Sequence, residues 1–192
     1  MPSSKTRASL NLDEIVDNAL GLIREGGVAS LSMRQLSTRL GASLGATYRH
    51  LPTKEALLDL CGKALFDRCW QPLQVGEDPL EWLEQQVMNL YNVLTEYRGM
   101  AEYVVRHTRD VVNPVHEVLI ESGFSESEAP LVATVLTLYT AGALLTDFEH
   151  TIAVDAPDPK AMIAAGMHFV LSGPRPVTGA KGTRGKGMPA RS

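Results

Sequence analysis

Between residues 31 and 54 the chain reads LSMRQLSTRLGASLGATYRHLPTK, and its polar side chains are almost all donors. Its charges are Arg34, Arg39, Arg49 and Lys54. No acidic residue falls among them, although the whole chain carries 18 basic and 22 acidic side chains for a formal net charge of −4. Hydroxyl, phenol and imidazole groups sit between the cations at Ser43, Thr47, Tyr48 and His50. The cations neutralise phosphates and release condensed counterions, the term that supplies most sequence-independent affinity for duplex DNA, and the groups between them can donate hydrogen bonds to phosphate oxygens. A basic stretch in an acidic protein is where a duplex would dock. The chemistry is recognition rather than catalysis: no Ser-His-Asp or Cys-His pattern, phosphate loop or paired-carboxylate motif stands out. No Cys/His spacing suggests zinc, and neither a metal nor another cofactor is expected.

These side chains must be held by short helices. Ser32 with Gln35 three positions on is a capping-box pattern, and Met33, Leu36 and Leu40 mark one apolar face of the helix it opens. Gly41 supplies the permissive backbone of a tight turn, and Ser43 can cap a second short helix, LGATYRH, whose first residues Leu44, Gly45 and Ala46 carry little bulk. Thr53 can cap a third. The layout is a helix-turn-helix; the plainer reading is a structural helical hairpin, which apolar spacing alone would also allow.

The segment resembles the tetracycline-repressor (TetR) family of bacterial transcription regulators, with Gly41, Tyr48, His50 and Lys54 in register with the family pattern and Thr47 just before the tyrosine. The resemblance implies that Tyr48, His50 and Lys54 contact phosphates, while Arg34 and the positions of Leu44, Gly45 and Ala46 face base edges. The last three have no hydrogen-bonding side chain here. Direct reading would then rest on Arg34, which can grip a guanine edge bidentately, with apolar contact from Leu44 or Ala46 to thymine methyls. The full set expected at DNA is Arg34, Ser43, Leu44, Gly45, Ala46, Thr47, Tyr48, Arg49, His50 and Lys54.

The rest of the chain also reads as helices. Leu12, Ile15, Val16, Ala19, Leu20 and Ile23 form a stripe opened by Asn11 with Glu14 and closed at Gly26-Gly27. A fourth helix, opened by Thr53, runs to about Trp70 and stops before Pro72. Asp78-Pro79-Leu80-Glu81 combines a cap, Pro at the first helical position and a capping-box acid. Shorter helices are expected from Gly99 to His107 and from Pro114, capped by Asn113, to Ser122. A long one begins at Ser125 or Glu128 and runs to about Ile152, with Pro130 able to bend it, and a last one runs from Pro159, capped by Asp158, to Leu171. With no sustained strand alternation or internal repeat, the expected fold is all-α.

Charge divides the chain. Up to residue 62 there are 7 basic and 6 acidic side chains, from 63 to 172 there are 6 and 16, and beyond 172 there are 5 and none. We read residues 1–52 as the DNA-binding domain, 53–172 as a ligand-binding and dimerisation domain and 173–192 as a disordered basic tail, solvated or an auxiliary phosphate binder. Lys5 and Arg7 could reach a neighbouring phosphate in the same way. Without a signal peptide or a membrane-length apolar run, a soluble, cytoplasmic protein with no membrane partner is expected. Cys61 and Cys69, eight positions apart on one helix, cannot bridge each other and read as buried thiols.

The C-terminal part also resembles the tetracycline repressor's own ligand-binding domain, through residues 117–125 and 145–150. Asn89 falls on a drug-contacting Asn of that family, whereas the drug-contacting His becomes Trp70, the magnesium-holding acid becomes Thr146, and His107 lies only near the metal-binding His. Magnesium-tetracycline is therefore a poor fit. A largely apolar or aromatic organic effector suits Trp70, Asn89, Val93, Tyr103, His107 and His116, each of which could equally be core or surface. His150, near Asp147 and Glu149, reads as part of a surface cluster. The late apolar helices, with Ala133, Ala141, Gly142 and Ala143, could pack within the chain or across a two-fold axis, and the resemblance implies a homodimer reading a near-palindromic operator. The function expected is a repressor released by its effector; the alternative is a ligand-binding carrier or enzyme on the same fold that has lost DNA binding.

Overall fold

Asn11 opens the first helix, α1 (Leu12–Ser30), by accepting the Glu14 N–H on its side-chain oxygen at 2.7 Å, which satisfies a donor that every helix start leaves unpaired. The computed structural model describes residues 11–146 and 158–172, and all regular structure among the described residues is helical. The expected tail and the His150 cluster lie outside them. The predicted stripe is buried from Ile15 to Ile23, but Leu12, at the first position of the helix where no neighbour among the described residues covers it, is 47% exposed. The helix does not end at the paired glycines. Gly27, at φ +75°, breaks it and one more turn follows, with the Val28 N–H donating to the Arg98 carbonyl at 3.0 Å. That distant carbonyl replaces the intrahelical partner lost at the break, a contact no local pattern announces.

Two short helices follow. α2 (Met33–Arg39) starts in the predicted capping box, the Gln35 N–H reaching Ser32 Oγ at 3.2 Å and the Ser32 N–H reaching Gln35 Oε1 at 3.1 Å. The turn beyond it needs Gly41 for its φ of +62° and not for space, since nothing lies within 4 Å of where a Cβ would stand. α3 (Leu44–His50) is capped by Ser43, and α4 (Lys54–Cys69) by Thr53. α4 buries Leu57, Leu58, Cys61, Gly62, Leu65, Phe66 and Cys69 around much of its circumference because α1 packs on one side and α5 and α6 on others. Both cysteines are free and buried, and burial pushes the Cys61 thiol up to about 12.

The second half is a bundle around the same core. α5 (Pro79–Glu96) begins where Asp78 accepts the N–H groups of both Leu80 and Glu81. The region after it departs from expectation: α6 (Ala101–Val105) runs into a 3-10 helix (Arg106–Val111) and on into α7 (Val112–Glu121). Asn113 therefore lies inside the first turn of α7 rather than capping it. Pro114 is tolerated there because the first N–H groups of a helix have no intrahelical partner to lose. α8 (Ala129–Leu145) is preceded by reciprocal Ser125–Glu128 bonds, with Pro130 in its first turn rather than at a bend. It stops at Leu145, where Thr146 turns extended, short of the expected Ile152, which lies outside the described residues. α9 (Pro159–Ser172) starts under Asp158, whose carboxylate accepts the Ala161 N–H at 3.2 Å. Among the described residues no helix is long and apolar enough to cross a membrane.

Candidate nucleic-acid interface

α2 and α3 are locked together by a buried pair of hydroxyls. Ser37 Oγ lies 2.8 Å from Thr47 Oγ1 and also donates to the Met33 carbonyl at 2.8 Å, while Thr47 Oγ1 donates to Ser43 O at 3.4 Å. Thr47 is 0% exposed, so its placement among the DNA-facing residues is corrected: its hydroxyl fixes the angle between the two helices. The sequence signal was ambiguous, because a threonine among donors reads as one more donor until its helix is oriented.

The other expected residues separate by what they touch. Arg34, Ser43, Leu44, Gly45, Tyr48, Arg49 and His50 are exposed, and Ala46 is half-buried. Leu44 and Tyr48, one helical turn apart on α3, are each 43% exposed. Arg34, Arg49 and His50 make no ion pair among the described residues. Arg39 does: its guanidinium crosses to α1 and meets Glu25 at 2.7 Å. Lys54 is likewise engaged, its Nζ donating to the Val28 carbonyl at 2.9 Å from a half-buried position, so one of its three N–H donors ties α4 to the end of α1. Arg49 and His50 also close α3, where cations favour the helix dipole.

In the bundle the residues expected to line an effector pocket are not brought together. Trp70, the C-terminal cap of α4, lines an open cavity of about 630 Å³ between the α4–α5 connection and α7. It also borders a small internal void of about 20 Å³ that Val87, Thr108, Thr140 and Met167 help enclose. Asn89 is occupied by the Gln85 amide at 2.8 Å, Val93 packs against the core, and His116 is half-buried on α7; none of them lines either space. Tyr103 and His107 face α4 instead. The Tyr103 hydroxyl donates to Glu55 Oε2 at 3.0 Å, and burial together with the Glu55 and Glu102 hydrogen bonds pushes it up to about 12. Arg106 lies over the Tyr103 ring at 4.8 Å and pairs with Glu55 at 3.1 Å and Asp59 at 3.6 Å. His107 stands 3.9 Å from both Asp59 and Asp110, with a buried Nε2 that makes no hydrogen bond. These residues join α6 to the N-terminal half of α4. Sequence reading missed Gly62 at this joint: a Cβ there would stand 2.7 Å from the Tyr103 carbonyl carbon, and the sole signal was a glycine inside an apolar helix pattern. It also missed Trp82 and Glu117, which share the open cavity with Trp70. No group of three or more His, Cys, Asp or Glu among the described residues could hold a metal ion.

The family model described as bacterial regulatory proteins, tetR family, matches residues 15–61, which span α1 to the middle of α4. The tetracycline repressor protein class D of Escherichia coli is 31% identical over 163 residues, covering 79% of this chain and 74% of the relative. The chain belongs to the TetR family. Its tetracycline repressor class H relative from Photobacterium damsela subsp. piscicida aligns at the same 31% identity and coverage. The fold agrees with TetR structures at lower identity. The crystal structure of a TetR variant from Acinetobacter baumannii AYE in complex with minocycline superposes with a TM-score of 0.69 at 23% identity, over 85% of this chain and 96% of that one. Streptomyces coelicolor ActR in complex with actinorhodin does so at 0.69 and 17%, over 86% and 97%. The chain is thus a TetR-family transcriptional regulator with an N-terminal helix-turn-helix and a helical C-terminal part, and its relatives are regulators rather than enzymes.

Proposed function

We propose that the protein is a homodimeric repressor that holds a near-palindromic operator through α2 and α3 and is released from it by a small organic effector bound among the C-terminal helices. The observation that carries the DNA-binding part is the exposed, unpaired set of Arg34, Arg49 and His50, with Tyr48 between them, in a chain of net charge −4. Residues 1–52 would serve as the reading head, and the acidic body would keep DNA from lying elsewhere.

Pairing is supported by α8 and α9. Leu131, Val135, Leu138 and Leu145 follow one another along α8 at three-, four- and seven-residue steps, all exposed, and Phe169 on α9 is 77% exposed. A continuous apolar stripe of this kind is costly in water and suits an isologous interface. Such a dimer would set its two reading heads about 34 to 36 Å apart, one turn of the duplex.

Release follows from the ties on α4. Trp70 at its far end borders the open cavity, Glu55 and Asp59 near its start meet α6 and the 3-10 helix, and Lys54 holds the end of α1. An effector that moves Trp70 would tilt α4 and change the separation of the heads. Coupling of this kind typically amounts to about 1 to 3 kcal/mol, and operator must weaken effector binding by the same factor. Relatives bind organic molecules, minocycline and actinorhodin among them. A gel shift on the DNA upstream of the protein's own coding region tests the reading. A salt-sensitive complex with one fragment is expected, and failure to shift any fragment at low salt would reject it in favour of a carrier that has lost DNA.

A further inference from the structure

We propose that the open cavity beside Trp70 selects an aromatic organic cation. This names the effector class within the repressor reading and rests on that reading only for its consequence on DNA.

Four observations carry it. The space is about 630 Å³, within the range that holds drug-sized molecules. Its apolar lining includes two indoles, Trp70 and Trp82, set edge to face with centroids 5.5 Å apart, and Trp70 is stacked at 5.7 Å on Phe66 behind it. Trp82 Nε1 donates to the Gln71 carbonyl at 3.0 Å, so its one polar group is already engaged, and with Trp82 only 7% exposed the indole surface open to a ligand is mainly that of half-buried Trp70. The charged lining is of one sign: Glu77, Glu117 and Glu121, without a lysine, arginine or histidine. Glu117 and Glu121 stand one turn apart on α7, on the face that also presents Pro114 and Val118.

An acidic rim is common on a body with 16 acidic and 6 basic side chains, and by itself would say nothing. Here it adjoins π surface. Like charges one helical turn apart repel, and neither glutamate has an ion-pair partner among the described residues, so a cation seated between them relieves that repulsion. A ring cation is attracted both by the indole faces and by the carboxylates. A neutral ligand of the same shape gains only the apolar contact, and an anion meets three carboxylates.

The chain's two tryptophans both line this cavity, so their fluorescence reports its occupation directly. The test titrates the full-length protein at pH 8 with N-methylacridinium and with acridine, a cation and a neutral molecule of nearly one shape. The cation is expected to bind about tenfold tighter, or more. The E117Q/E121Q protein, which keeps Glu77 and the indoles, should lose most of that preference while its acridine affinity stays unchanged, and E117D/E121D, which keeps the charge, should retain it. Equal affinities in the native protein, or a preference undiminished in E117Q/E121Q, would overturn the proposal. The operator gel shift, run with each probe, separates the two readings. Selective cation binding that leaves the DNA complex intact upholds the site and rejects release. Release by both probes with the same half-maximal concentration upholds regulation and rejects the cation preference.

Discussion

Arg34 and Thr47 lie on facing helices of one reading head, and their fates illustrate how a donor's burial decides its role. Arg34 is exposed and makes no ion pair among the described residues, a position from which it could reach a base edge. Arg34→Ala should weaken operator binding by about 1 to 3 kcal/mol and relax one operator position; in a binding assay across single-base operator variants, equal weakening on all of them would contradict base reading. Thr47 has no such freedom. Thr47→Val keeps its shape but removes the buried Ser37–Thr47 hydroxyl pair and leaves Ser37 Oγ with the Met33 carbonyl of its own helix, and about 1 kcal/mol of stability should be lost. Thermal unfolding should reveal this without DNA present, whereas a DNA-contacting threonine would leave the melting temperature where it was.

Among the helices, α4 packs against α1 on one side and against α5 and α6 on the other, so it joins the two halves. The exposed ion pairs Arg24–Glu96 and Arg68–Asp17 bridge the halves as well, but solvent screening limits such pairs to about 1 kcal/mol or less. The close approach of α4 to α6 at Gly62 is a stronger tie, because it is set by packed backbone. Gly62→Ala would push a methyl into the Tyr103 backbone, cost about 1 to 3 kcal/mol and alter operator affinity from a position far from DNA. Denaturant unfolding paired with a gel shift checks it: unchanged stability and unchanged affinity would mean that the joint gives way freely.

For the molecule as a whole, two properties follow from what is buried and what is not. Leu138 is 68% exposed in the middle of the α8 stripe. Leu138→Glu would set like charges against each other across a two-fold axis, and sedimentation at micromolar concentration should change from dimer to monomer; a native protein that sediments as a monomer would refute the pairing. The second property is alkaline sensitivity. The fold favours the neutral forms of Cys61 and Tyr103, each raised to about 12 from ordinary values of 9.0 and 10.0. Their contribution is complete below about pH 9. Above it the unfolded chain releases protons that the folded chain keeps, so stability falls with rising pH, by up to about 1.4 kcal/mol per unit for the buried Cys61 and by less for Tyr103, whose carboxylate partners are solvated. Urea unfolding at pH 7, 9 and 10.5 should trace that decline, and Cys61→Ala should flatten its first part.

Local chemistry was legible at most helix starts written in adjacent residues, with Asn113 the exception because the preceding 3-10 helix runs directly into α7. Asn11, Ser32, Ser43, Thr53, Asp78 and Asp158 each accept the backbone N–H that their spacing predicted, because a cap involves only neighbours along the chain. Apolar periodicity likewise exposed the buried stripe of α1 and the all-helical class. The tertiary structure alone settled what covers each face. It sent Thr47 inward, committed Lys54 and Arg39 to α1, turned Tyr103 and His107 toward α4, and assembled Trp70, Trp82 and Glu117 around one cavity from three separate stretches. A one-dimensional period states which side of a helix avoids water, but the partner that meets it is chosen by packing among all the helices at once.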